Sequence, residues 1–249
     1  MTDSIDRRFD RVSKGYAQHR PVCPSALVEK IVSRCASREL AWEPGCGSGQ
    51  VTRVLSPLIR RTVATDPAEQ AIARAPELDG VTFAVGSASS VDLPDDCVDL
   101  IASGQSAHWF EPQAFAAEAT RIGKKGAVVA LWCYDRPRVM PAVDACIDQL
   151  YYEVLAGMWD RRRSYIDDRY RSLPFPFEEE PINVPQYEAR WHVADMLAYL
   201  RTWSAVDAYA EVGCGDAVGV IEDELQTVWG DDARQVCWPV GIRAGRIHR

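Results

Sequence analysis

No apolar run in the chain comes near the 18 residues that would carry a helix across a bilayer, so nothing is expected to span a membrane. The start, Met1-Thr2-Asp3-Ser4, has neither a basic n-region nor an apolar core. No secretory signal is therefore expected, and the chain reads as cytoplasmic. Eight cysteines form no C-x-x-C pair and lack metal-ligand spacing, and only four histidines are present. These absences exclude a dedicated metal centre from the reading and suit reduced, mostly buried thiols. Basic charge is also short, with a net charge of −8, and a phosphate backbone wants a basic surface. Nucleic acid is accordingly not expected as a partner. Repeats and low-complexity segments are absent. A chain of 249 residues has room for one α/β domain with an extra cap, not for two full domains.

Two nucleotide fingerprints are missing as well, and their absence sharpens what is present. The segment Glu43-Pro44-Gly45-Cys46-Gly47-Ser48-Gly49-Gln50 follows the short apolar run Leu40-Ala41-Trp42 and precedes Val51-Thr52-Arg53-Val54-Leu55, whose spacing suits a helix. A strand thus runs into a glycine turn that opens a helix, which offers free N–H groups to a ligand. A dinucleotide G-x-G-x-x-G would need glycine where Gln50 stands, and no Gly-Lys-Ser/Thr ending of a P-loop follows. The pattern is acidic-x-Gly-x-Gly-x-Gly instead. A carboxylate at Glu43 would repel a pyrophosphate but suits a ligand with an ammonium or sulfonium charge. In this segment the chain resembles the class I S-adenosylmethionine (SAM) methyltransferases, whose first motif reads E/D-x-G-x-G-x-G.

The residues downstream fit the same pattern. Arg61–Asp66 is a β-branched run ending in an acid about twenty residues past the turn, where a carboxylate accepts ribose hydroxyls. Val81–Gly86, Cys97–Ser103 and Gly126–Trp132 read as third, fourth and fifth strands, with helical patterns between them. Strands alternating with helices mean βαβ units, right-handed crossovers and a parallel sheet with helices on both faces. The resemblance covers about residues 5–135 and implies a Rossmann-like seven-stranded sheet, mostly parallel, with an antiparallel last strand and a helical lid. It implies SAM as cofactor, S-adenosylhomocysteine as product, and cofactor contacts from Glu43, Gly45, Cys46, Gly47, Gly49, Gln50, Asp66, Pro67 and Ser103. Ser87 and Ala88, after the third strand, are the implied adenine contacts, although many relatives carry an acid there.

Three regions follow along the chain: residues 1–36 cover the cofactor, 37–135 bind it, and 136–249 form the lid and the final two strands of one domain. In the first, Ile5, Phe9, Val12 and Tyr16 recur at helical spacing until Pro21 breaks the pattern, and Ser25 starts a second helix. Phe9…Tyr16…His19-Arg20-Pro21 resembles the lead of the small-molecule branch of the family, in which Tyr16 and Arg20 would close over SAM. In the third, helical patterns occupy about 141–159 and 193–229, and strand-like stretches lie near 183–191 and 236–242.

The acceptor pocket is expected outside the C-terminal ends of the strands, at the switch point of the sheet. That places Gln105, Ser106, His108, Trp109 and Phe110 beside the sulfonium. The segment resembles the Q-x-x-H-W-F of a bacterial and fungal branch that includes trans-aconitate methyltransferases, and it lacks the D/N-P-P-Y/F of DNA and glutamine methyltransferases. Methyl transfer is an in-line displacement whose rate can come from alignment. His108 is the best-placed titratable group, as base or as packing residue, and Gln105 is a candidate for positioning. Trp109, Phe110, Trp132, Tyr134 and Tyr165 are expected to wall the acceptor site. Arg161-Arg162-Arg163 is either a solvated face balanced by Asp160, Asp167 and Asp168 or an electropositive lip. The acceptor is then a small planar metabolite methylated at nitrogen or oxygen, of a secondary-metabolic kind, or else a small polycarboxylate. A SAM-binding regulatory protein without activity is the alternative of another class. A monomer or a homodimer fits either.

Overall fold

The computed structural model describes residues 19–248. The amphipathic stretch through Phe9 and Tyr16, and with it the expected Tyr16 contact, lies outside the described residues. Five strands pair in parallel: Ala41–Pro44 (β1), Thr62–Asp66 (β2), Val81–Val85 (β3), Val98–Gly104 (β4) and Gly123–Tyr134 (β5). Glu178–Glu179 (β6) is a short edge strand, Tyr187–Trp191 (β7) and Arg234–Trp238 (β8) pair with each other, and Val240–Arg246 (β9) runs antiparallel to β5. The main sheet has the order β3-β2-β1-β4-β5-β9-β6, the seven-stranded, mostly parallel arrangement expected.

Helices cover both faces: Ser25–Val32 (α1), Thr52–Leu55 (α2), Glu69–Ile72 (α3), Pro112–Ile122 (α4), Pro141–Gln149 (α5), Ser164–Asp167 (α6), Val193–Leu200 (α7), Ser204–Glu211 (α8) and Gly219–Trp229 (α9). In α1, Leu27, Val28, Ile31 and Val32 make one buried stripe. At the start of α4 the Glu111 carboxylate accepts from the Gln113 and Ala114 N–H groups, and Pro112 occupies a first-turn position that needs no N–H.

Successive strand residues enter opposite cores, as the pleat requires. Val128, Ala130 and Trp132 pack on one face of β5, and Val129, Leu131 and Cys133 on the other. This double coverage is why the strands read as continuous apolar runs rather than alternating ones. The later helices share the first core: Leu200, Ile221, Leu225 and Trp229 join Leu27, Leu100 and Val128. Among the described residues no helix is long and apolar enough to cross a membrane.

The late strands differ in detail from the sequence reading. The stretch near 236–242 is two strands, divided at Pro239, which has no N–H to give a ladder. Its first half pairs with β7 in a separate two-stranded sheet, and only its second half continues into the main sheet as β9. The sheet's other late strand is β6, not the stretch near 183–191. In β7, Glu188 and Arg190 are exposed between more covered neighbours. Such alternation suits a half-solvated antiparallel pair, not a strand covered on both faces.

Candidate functional site

The glycine turn leaves β1 at the centre of the sheet and carries three left-handed residues, with φ of 68° at Gly45, 55° at Gly47 and 83° at Gly49. At Gly45 the requirement is steric as well, since a Cβ there would lie 2.5 Å from Ser106 Oγ. At Gly47 a Cβ would meet nothing within 4 Å, so the turn presents bare backbone to open space. The tip of β2 faces it. Asp66 Oδ2 accepts from the Gly47 N–H at 2.8 Å, and Oδ1 from the Ala68 N–H at 2.9 Å.

Beneath the turn, Glu43 is 1% exposed. Burial pushes its carboxyl up to about 8, the Thr52 hydroxyl opposes this, and nearby Asp66 adds to it. Its Oε2 has no hydrogen-bond partner among the described residues. An orphaned buried carboxyl oxygen under a cradle that no side chain fills is what a cationic adenosyl ligand would satisfy, so these residues fit SAM. Cys46 is buried, and burial raises its thiol far out of the reactive range. Gln50 is half-buried, and Pro67 is exposed after β2. Beyond β3, Ser87 is exposed and bonded to Ser89, while Ala88 packs on the second core.

At the end of β4, Ser103 and Ser106 share a 2.6 Å hydrogen bond. Gln105 has a φ of 61°, and its amide both donates to the Tyr134 carbonyl (3.2 Å) and accepts from the Tyr134 N–H (2.8 Å). The side chain thus ties the C-terminal ends of β4 and β5 together as an extra ladder rung would. His108 lies in the turn that follows, 5% exposed, with Nδ1 3.0 Å from the Tyr170 hydroxyl. Burial depresses its pKa to about 3; the Arg163 and Arg162 guanidinium groups push the same way and Asp160 opposes them. The ring is therefore neutral across the physiological range.

The expected acceptor walls separate into two groups. Trp132 is fully buried and donates from Nε1 to the Tyr187 hydroxyl at 3.0 Å, so it belongs to the core below the sheet. Phe110 packs on Phe115 of that other face, 5.1 Å between centroids, and Tyr165 packs against the same core. Tyr134 ends β5 and is buried in the cluster that holds Trp132, whereas Trp109 is half-buried in the turn after β4. Arg162 stacks 4.3 Å over Trp109, and Arg20 donates to the Tyr134 hydroxyl and the Thr202 carbonyl.

Several groups at this end of the sheet escaped the sequence reading as site residues. Tyr151 donates to Asp167 at 2.5 Å and accepts from Arg163 Nε at 2.9 Å. Asp135 and Arg136, just past β5, are buried, and Arg136 stacks between Tyr151 and Tyr152 at 4.4 and 4.5 Å. Tyr170 touches His108 across 62 residues. No local motif announces such a pair. Arg169 and Tyr170 both hold left-handed backbone, φ 58° and 64°, a strain of about 1–3 kcal/mol each that surrounding structure has to impose.

The matches to known proteins fall on this geometry. Residues 42–131 match the methyltransferase domain family. A protein of Dictyostelium discoideum named "Putative methyltransferase" is 30% identical over 225 residues, covering 89% of this chain and 86% of its own. The chain belongs to the class I SAM-dependent methyltransferases. The solved structure of a "Putative Type II Methyltransferase" from Anaeromyxobacter dehalogenans superposes on the enzyme with a TM-score of 0.85 at 39% identity, covering 92% of this chain and 98% of its own. A Saccharomyces cerevisiae protein named "Probable S-adenosylmethionine-dependent methyltransferase" is 25% identical over 182 residues, 69% of this chain and 60% of its own. The matched domain holds the glycine turn, Asp66 and His108 of this methyltransferase, whereas Tyr151, Arg163 and Tyr170 lie outside it.

Proposed function

We propose that the enzyme transfers the SAM methyl group to a nitrogen or oxygen of a small, planar metabolite. In this reading Asp66 accepts the ribose hydroxyls and Gly45, Gly47 and Gly49 let the cofactor lie against the backbone. Glu43 balances the cofactor's cationic end from below, Ser87 and Ala88 flank adenine, and Arg20 belongs to the closure over the site. Bound SAM supplies an electrophilic methyl carbon on sulfur; the protein's part is to hold an acceptor in line with it and keep water out. The enzyme works in the cytoplasm as a monomer or homodimer, without nucleic acid.

One observation carries the choice of acceptor. Two of the three lid arginines are already engaged: Arg162 grips Asp160 through Nε and Nη2 (2.9 Å each) and lies on Trp109. Arg163 reaches Tyr151 and Asp167 and lies 4.9 Å from the Trp159 ring. Around Trp109, Tyr151 and Trp159 this edge offers a ligand rings whose neighbouring arginines, Arg162 and Arg163, are already engaged, which favours a flat and largely uncharged body. Replacing Arg161, Arg162 and Arg163 together by Gln is expected to leave the acceptor KM within a few-fold. A rise of a hundredfold, or strong inhibition of turnover by salt, would move the acceptor to an anion.

The second reading, a small polycarboxylate, draws on Arg136. It is 7% exposed, its Nε and Nη1 make no hydrogen bond among the described residues, and Asp135 and Asp148 stand 3.7 Å away. A ligand carboxylate reaching it would complete those bonds.

A further inference from the structure

The turn that carries Tyr170 is built against β9. A Cβ on Gly241 would lie 2.3 Å from both Cβ and the carbonyl oxygen of Arg169, so the strained pair fits only because that strand residue is glycine. Arg243 Nη1 donates to the Tyr170, Arg171 and Leu173 carbonyls, and the Tyr170 N–H donates to Tyr165. These bonds fix a fully buried tyrosine whose hydroxyl lies 3.0 Å from His108 Nδ1. Burial, with the Cys133 thiol nearby, keeps that hydroxyl protonated. His108 Nδ1 is that hydroxyl's one hydrogen-bond partner among the described residues, so its buried proton finds an acceptor only if Nδ1 carries none: the hydroxyl donates and Nδ1 accepts.

We propose that Tyr170 is a positioning residue that locks His108 as a donor through Nε2–H, so that the histidine orients the methyl acceptor and removes no proton from it. The acceptor atom must then be nucleophilic at neutral pH without first losing a proton, as an unprotonated ring or amine nitrogen or a carboxylate oxygen is. A phenol or alcohol has a proton to give up and nothing here to take it. The acceptor's lone pair forms the new bond to the methyl carbon while the pair of the breaking C–S bond goes to sulfur. A nitrogen acceptor ends as a cation and a carboxylate as a neutral ester, with no proton to place. The charged groups around the ring agree with this role: Arg162 and Arg163 from the lid disfavour an imidazolium, and Asp160, engaged by Arg162, opposes them only in part. The inference rests on the methyltransferase reading for its substrate class but not for its histidine geometry.

The test uses the full chain with nitrogen-15 labelled histidine, as wild type, Tyr170→Phe and His108→Gln, the last to assign the signal. Wild type is expected to show His108 as the neutral Nε2–H tautomer, unchanged from pH 8 to pH 5. Tyr170→Phe is expected to mix the tautomers and to titrate at higher pH, with S-adenosylhomocysteine binding showing that the variant is folded. An Nδ1–H tautomer or an imidazolium in wild type at pH 7 overturns the proposal. Labelled SAM is then offered with three acceptors on one fused aromatic ring system: a ring nitrogen, a carboxylate and a phenol. Turnover of the first or second without the third supports the assignment and tells nitrogen from carboxylate. Methylation of the phenol with a thousandfold loss of kcat in His108→Gln, SAM affinity intact, overturns it. Failure to bind SAM at all would sink the methyltransferase reading while leaving the tautomer result to stand.

Discussion

Replacing Glu43 by Gln should stabilise the free enzyme while weakening its hold on the cofactor. The Glu43 carboxyl is held by burial at about 8, against an ordinary value of 4.5. A folded-state pKa above the unfolded one means that the group's contribution is fully present below about pH 4.5 and is lost progressively up to about pH 8. At about 1.4 kcal/mol per unit, the loss reaches roughly 3 kcal/mol at pH 7 and roughly 4 kcal/mol at pH 8. Gln keeps the shape and the reach to Thr52 but never ionises, so the variant should lack this slope. Urea denaturation of the ligand-free protein between pH 5 and pH 9 measures it. The variant is expected to match wild type near pH 5 and to exceed it by about 2–5 kcal/mol at pH 8. Calorimetry on the same pair should show weaker SAM binding by the Glu43→Gln variant, because a neutral amide no longer balances the cofactor's ammonium. A variant that follows the wild-type pH slope, or is less stable at pH 8, would refute the argument that burial resists ionisation of Glu43.

Three further outcomes are expected. Asp66→Ala removes a carboxylate bonded to the glycine turn and proposed to hold the ribose, so SAM affinity by calorimetry should fall ten- to a hundredfold, from about 1.5–3 kcal/mol of charge-assisted hydrogen bonding. Unchanged affinity, or tight binding of NAD, would contradict the cofactor assignment. Asp99 accepts from the Glu39 and Leu40 N–H groups and from Lys124 at 2.7 Å; burial alone would raise its pKa, but Lys124 and those N–H groups bring it below the ordinary value. Its contribution should be present above about pH 4 and fade as acid protonates it, and Asp99→Asn should cost about 1–3 kcal/mol at pH 7 and flatten that acid limb. Gly241→Ala should force the Arg169–Tyr170 turn off β9, costing about 1–3 kcal/mol by thermal denaturation.

The cofactor half was legible in the sequence because its determinants are local. Glycines at fixed spacing set the turn, an acid at the end of the next β-branched run sets its partner, and apolar runs between helical patterns set a covered parallel sheet. Asp66 does end β2, the place its spacing implied, and its bond to the Gly47 N–H is what the structure adds. The later half was less legible, since β7 and β8 are short and half-exposed, and one proline decides which sheet receives residues 234–238 and which receives 240–246.

The acceptor side depended on tertiary structure almost entirely. Aromatic content announced rings without saying which were core: Trp132 and Phe110 went into the two hydrophobic clusters, while Trp109 took an arginine on its face. Gln105 and His108 were visible as residues but not as roles. The first is spent on the Tyr134 backbone, and the second has its Nδ1 engaged by a tyrosine 62 positions away. Periodicity and spacing record what a residue needs from its near neighbours in the chain. A histidine's tautomer and an arginine's partner are set by groups that only the folded topology brings within hydrogen-bonding distance, and these the sequence by itself left open.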